Sequence, residues 1–141
     1  SVDLGRTPIL ALVAKGYLQR NTRSLRFRDL KQYPLIYRED GSRTRALVEE
    51  EAARLKIDLV PSIEVEGREA MREVVASGAG IGFISEAEFG HDRRLEAIPF
   101  DDVDIGMSES LVTLSARRDV PLIRGFVKTV QRVLEGGGET T

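Results

Sequence analysis

The segment richest in possible chemistry is Gly41-Ser42-Arg43-Thr44-Arg45, which sets a turn glycine, two hydroxyls and two guanidiniums at a strand-to-helix junction. A helix start leaves backbone N–H groups without intrahelical partners and carries the positive end of the helix dipole, so an anion is favoured there. Ser42 and Thr44 would add hydroxyl donors, and Arg43 or Arg45 could grip a carboxylate or phosphonate through two hydrogen bonds. A purely structural reading competes: Ser42 caps the helix, while the arginines pair with Glu39, Asp40 and Glu49.

Three further clusters carry weaker signals. Glu66-Gly67-Arg68-Glu69 is a second helix start with the same exposed N–H groups, with Gly67 and Arg68 at the junction and Arg72 one turn on, although Glu69 alone could satisfy that terminus. Ser85-Glu86-Ala87-Glu88 follows an apolar run, which places it at a carboxyl edge where α/β ligands bind; Glu86 or Glu88 could recognise an ammonium group, or both could be solvated acids. His91 is flanked by Gly90 and Asp92 and reads as an exposed turn residue without a placed catalytic partner. Gly78-Ala79-Gly80-Ile81-Gly82 has the look of a dinucleotide loop, but it closes a helix and opens a strand, the reverse of the required order. Arg20, Arg23, Arg26 and Arg28 lack the interleaved aromatics of a nucleic-acid patch.

The elements that must position these residues follow from hydrophobic pattern and punctuation. Ile9 to Ala14 is a short apolar run that reads as a strand buried on both faces. Leu35-Ile36-Tyr37 is a second strand, closed by Glu39-Asp40-Gly41. From Ser42 to about Lys56, Leu47, Val48, Ala52 and Leu55 share one helical face. A strand over 59–65 follows, then a helix marked by Ala70, Met71, Val74 and Val75 with Gly78 at its end. Ile81 to Ile84 forms a strand, and Leu95 to Pro99 a short edge strand. A strand over 111–114, a helix over 122–134 and a glycine-rich tail complete the chain. Strands alternating with helices predict an α/β fold with a mainly parallel sheet. The strand at 9–14 has no helix of comparable size to cover it before residue 42, so either the final helix packs there or preceding structure does.

Composition narrows the classes. With 141 residues, 41% hydrophobic and 31% charged, the chain can bury a core of ordinary domain size. It has no cysteine and one histidine, which excludes disulfides, thiolate metal sites, a cysteine nucleophile and a multi-histidine relay. Net charge is −2, so the chain as a whole gives no sign of a nucleic-acid surface. The charge is uneven: +6 over residues 1–45, −10 over 46–110 and +2 over 111–141, which suits a chain whose ends share one lobe and whose centre forms another, suits a head-to-tail dimer equally, and is also what chance gives on a solvated surface.

Taken in order, these pieces resemble the effector-binding domain of LysR-type transcriptional regulators over about residues 9–130. Leu25-Arg26-Phe27-Arg28-Asp29-Leu30 behind Ser24 resembles the family's S-L-x-x-x-D-L segment. Pro34 to Arg45 resembles its P-L-I-x-x-x-x-G-S-x-x-R stretch, and Val74 to Gly82 its V-x-x-G-x-G-I-x run. A narrower likeness, to regulators associated with aminoethylphosphonate catabolism, rests on Arg68 to Val75 and on Ile84 to Gly90. Two positions depart from the family. Gly67 stands where relatives often carry a capping Ser or Thr, and Tyr17-Leu18 where many have His-Pro.

The resemblance implies a two-lobed fold similar to type 2 periplasmic solute-binding proteins, with its first lobe truncated here. Residues 1–32 would be a partial first lobe, 33–113 the second lobe, and 114–141 the return to the first. A small anionic effector, a phosphonate in the narrower likeness, would sit between lobes on Ser42, Arg43, Thr44, Arg45, Gly67, Arg68, Ser85 and Glu86. The resemblance further implies a cytoplasmic, self-associating sensor, dimer or tetramer, with neither enzyme activity nor a cofactor. It would reach DNA only through an upstream winged helix-turn-helix. The competing classes are a periplasmic solute-binding protein of the same general fold, and a small enzyme using Glu86, Glu88 and His91, for which no nucleophile–base pair is visible.

Overall fold

In a computed structural model, residues 6–107 can be described. The expected strand over 111–114, the helix over 122–134 and the tail lie outside the described residues. The strands are β1 (Thr7–Ala14), β2 (Ile36–Arg38), β3 (Ile63–Val65), β4 (Gly82–Ser85), β5 (Leu95–Ile98) and β6 (Gly106–Met107). The helices are α1 (Arg43–Leu55), α2 (Arg68–Ala76) and the four-residue α3 (Glu86–Phe89), with a short 3-10 helix over Phe27–Gln32.

β2 and β3 pair in parallel, joined by α1. A parallel bridge between Leu35 and Ile81 links β2 to the residue leading into β4. β1 runs antiparallel to β4 on one side and to β5 on the other, with β6 also antiparallel to its start. It is therefore the reversed strand among its described neighbours, and it lies in the middle of the sheet. It shares one sheet with β4 and β5.

Alternation along each strand divides the core into two layers, as the two-residue repeat requires. Ile9, Ala11 and Val13 of β1 join Leu35, Tyr37, Phe83 and the α1 residues Val48 and Ala52. Leu12, Ile36 and Ile84 face the other way, onto Met71 and Val75 of α2. Both faces of β1 are thus covered by helices that come later in the chain. Gly82 is required by this packing, because a Cβ there would lie 2.5 Å from Met71 Sδ and 2.8 Å from Val75 Cγ2. The strand expected over 59–65 is confined to Ile63–Val65. Pro61 has no N–H to give a ladder, and Val60 beside it is exposed.

β2, β3 and β4 run in one direction, so their carboxyl ends lie on the same side. Each is followed by a helix start: Ser42 before α1, Gly67 before α2 and Ser85 before α3.

Candidate effector site

A shallow depression with a cavity volume of only about 10 Å³ opens at that carboxyl edge, lined by Arg38, Thr44, Arg68, Met71, Phe83, Ile84 and Glu88. Its apolar floor is the end of β4 and one residue of α2, and Phe83 is braced edge-on by Tyr37 at 5.9 Å. Its polar rim consists of two arginines, a threonine and a carboxylate.

Ser42 is buried and caps α1, its Oγ accepting from the Arg45 N–H at 3.3 Å. This cap fixes where the helix begins and so turns Thr44, also buried, onto the depression. Arg45 is directed elsewhere. Its guanidinium donates to Glu49 at 3.2 Å, to Glu64 at 3.0 Å and to the Arg38 carbonyl at 2.9 Å, and lies 5.4 Å from the centre of the Tyr37 ring. Tyr37 is held protonated, its pKa pushed up to about 12 chiefly by burial. Arg43 is exposed on the outer side of the first turn. Of the two arginines expected to hold an anion at this junction, neither lines the depression.

Arg38 takes that place and was not anticipated. It ends β2, is only 4% exposed, and lines the depression. The Glu39 carboxylate accepts from Arg38 Nε at 2.9 Å and from Nη2 at 3.2 Å, and also from the Gly67 N–H at 3.2 Å. The Arg38 fork holds the Glu39 carboxyl down at about 2, with the Gly67 N–H adding to the effect. Glu39 therefore satisfies from a neighbouring loop the N–H of Gly67 itself, while Gly67, having no side chain, gives the first turn of α2 no side-chain cap. Gly67 itself adopts φ +88°, a conformation that penalises any residue carrying a side chain.

Arg68 opens α2 and meets Glu88 of α3 across the depression at 3.5 Å. Ser85 is buried and caps α3: its Oγ accepts from the Glu88 N–H at 3.3 Å and lies 3.4 Å from Glu88 Oε1. Glu86 is exposed on the outer side of this turn, so Glu88 is the carboxylate presented to the depression. His91 is exposed and outside it. The structure thus brings Thr44 and Arg68 to the depression. Ser42, Gly67 and Ser85 stand behind it as helix starts, and Arg43, Arg45 and Glu86 point away. Among the described residues no group of His, Cys, Asp or Glu is arranged to hold a metal ion, and no helix is long and apolar enough to cross a membrane.

The architecture is that of the periplasmic-binding-protein-like α/β class, with helix starts gathered at the carboxyl ends of parallel strands. A family model described as the LysR substrate binding domain matches residues 1–135. The chain belongs to that family. Among solved structures it is similar to the effector-binding domain of QuiR in complex with shikimate, at 20% identity and a TM-score of 0.62 over 74% of this chain and 51% of that one. It is also similar to HinK, a LysR family transcriptional regulator from Pseudomonas aeruginosa, at 16% identity and a TM-score of 0.64 over 74% of this chain and 37% of that one. The regulatory domain of CcmR from Synechocystis PCC6803, in complex with 2-PG, aligns at 18% identity and a TM-score of 0.64 over 94% of this chain and 65% of that one. The chain spans between about a third and two thirds of the length of these structures. Among curated proteins none matches it.

Proposed function

We propose that this chain is the sensing domain of a LysR-type transcriptional regulator and that it binds a small anionic effector in the depression lined by Arg38, Thr44, Arg68 and Glu88. The observation that carries this reading is the placement of two arginines and a buried threonine hydroxyl around an apolar floor at the helix starts. Such a site combines a low-dielectric base with donors suited to a carboxylate, phosphate or phosphonate. The phosphonate of the narrower likeness fits the same donors, with Glu88 available to an ammonium group on the same molecule. A second lobe would supply the facing wall. The effector would then favour one lobe arrangement by its differential affinity, and a dimer or tetramer would transmit that preference to the DNA-binding part.

The test is titration calorimetry of the full-length gene product against a panel of small carboxylates, phosphates, phosphonates and aminophosphonates. At least one class should bind, and Arg68→Ala should weaken it about tenfold, equivalent to about 1.4 kcal/mol. Binding of no anion in the panel, or an affinity indifferent to Arg68→Ala, would sink the proposal.

A further inference from the structure

Glu88 reaches the depression from α3, and a four-residue turn has no stability of its own, because helix nucleation is unfavourable at that length. None of the four residues is buried, so tertiary ties must hold the turn in place. At its start, Thr7 Oγ1 accepts from the Ala87 N–H at 3.0 Å. At its end the tie is Arg72, one turn beyond Arg68 on α2. Arg72 Nη2 donates to the Glu88 carbonyl at 2.7 Å and to the Phe89 carbonyl at 2.9 Å. Its guanidinium also lies 6.0 Å from the centre of the Phe89 ring, and its Nη1 is 3.6 Å from Asp92 Oδ2. Asp92 accepts from Arg94 Nε at 3.2 Å and Nη2 at 3.1 Å, and Arg94 returns to Glu73 of α2 at 3.0 Å. The turn and the loop after it are therefore strapped to α2 twice.

We propose that Arg72 is a positioning residue of the effector site: by clamping the carbonyls of Glu88 and Phe89 it holds the Glu88 carboxylate opposite Arg68. Both cations come from α2, one turn apart, with Arg68 meeting the Glu88 side chain and Arg72 its backbone. A shift of α2 relative to β4 would thus carry the acid and the base of the depression together. The ligand-binding half of this inference rests on the proposed function; the clamp itself is measurable without a ligand.

The experiment uses the full-length gene product with Arg72→Gln, Glu88→Gln and both. Hydrogen exchange should rise at least tenfold at the Ala87 and Glu88 amides in Arg72→Gln, while the amides of β1 keep their protection. Affinity for the panel compound that binds the wild type should change about tenfold in Arg72→Gln, falling for one that carries an ammonium group and rising for a simple anion, yet change less than twofold when that substitution is added to Glu88→Gln. Unchanged exchange at Ala87 and Glu88 overturns the assignment, as does an equal change of affinity in both backgrounds. If Arg72→Gln loosens the whole domain, Asp92→Asn is the second variant, expected to raise exchange about threefold at the same two amides. A rise spread over β1 in both variants would make Arg72 a general stability residue and overturn the proposal. If the wild type binds nothing in the panel, the proposed function fails, and exchange alone decides the role of Arg72.

Discussion

Replacing Glu39 by Gln tests the electrostatics at the base of the candidate site. The wild-type carboxylate accepts from Arg38 Nε, Arg38 Nη2 and the Gly67 N–H, at 2.9, 3.2 and 3.2 Å. Its fall from the ordinary 4.5 to about 2 bounds the coupling at about 3.5 kcal/mol, at about 1.4 kcal/mol per pH unit. The Glu39 side chain is 31% exposed and so partly screened, which lowers the expected contribution to about 2 kcal/mol. Gln keeps one oxygen acceptor and much of the shape, so the loss is mainly one of charge opposite a buried guanidinium. The sign follows from the lowered value: stabilisation is fully present above pH 4.5 and is lost as pH falls toward 2. Urea unfolding of wild type and Glu39→Gln should therefore differ by about 2 kcal/mol at pH 6.5, with half of that gap gone by roughly pH 3.3. A gap below about 0.5 kcal/mol at pH 6.5, or one constant from pH 6.5 to pH 3, would refute the reasoning.

Three other substitutions have defined outcomes. Ser42→Ala removes the α1 cap and should cost about 0.5–2 kcal/mol in thermal or urea unfolding. Gly82→Ala forces a methyl against Met71 and Val75 and should cost about 1–3 kcal/mol in the same assay. Glu86→Gln, on the exposed side of α3, should leave both stability and effector affinity within about twofold of wild type in unfolding and calorimetry.

Much of the fold was legible because its signals are local. Ser42 before a helical apolar stripe marks the start of α1, and the observed helix runs to Leu55 with Lys56 in the left-handed cap. The position of β1 was not legible. A continuous apolar run has no polar face to show its direction or its neighbours, and alternating strands and helices favour the parallel assignment. At the site, sequence spacing placed Thr44 and Arg68 near a helix start but could not say which way Arg45 turns, since that depends on Glu64 of β3 and on the Tyr37 ring. Arg38 was hidden by its context, an apolar strand on one side and a pair of acids on the other, which together look like a surface boundary. For α3 the signal was present: Ser85-Glu86-Ala87-Glu88 has the S-x-x-E spacing of a capping box, which singles out Glu88 over Glu86.

The reversed central strand has a consequence for biosynthesis. Ile9 must find Ser85, and Ala14 must find Leu95, so some of the most apolar chain leaves the ribosome about 70 residues or more before the strands that will flank it. Pairings that distant close slowly. Until they do, Ile9–Ala14 is an exposed β-prone hexapeptide without a charge, the kind of nascent segment on which chaperones act and from which premature self-association starts.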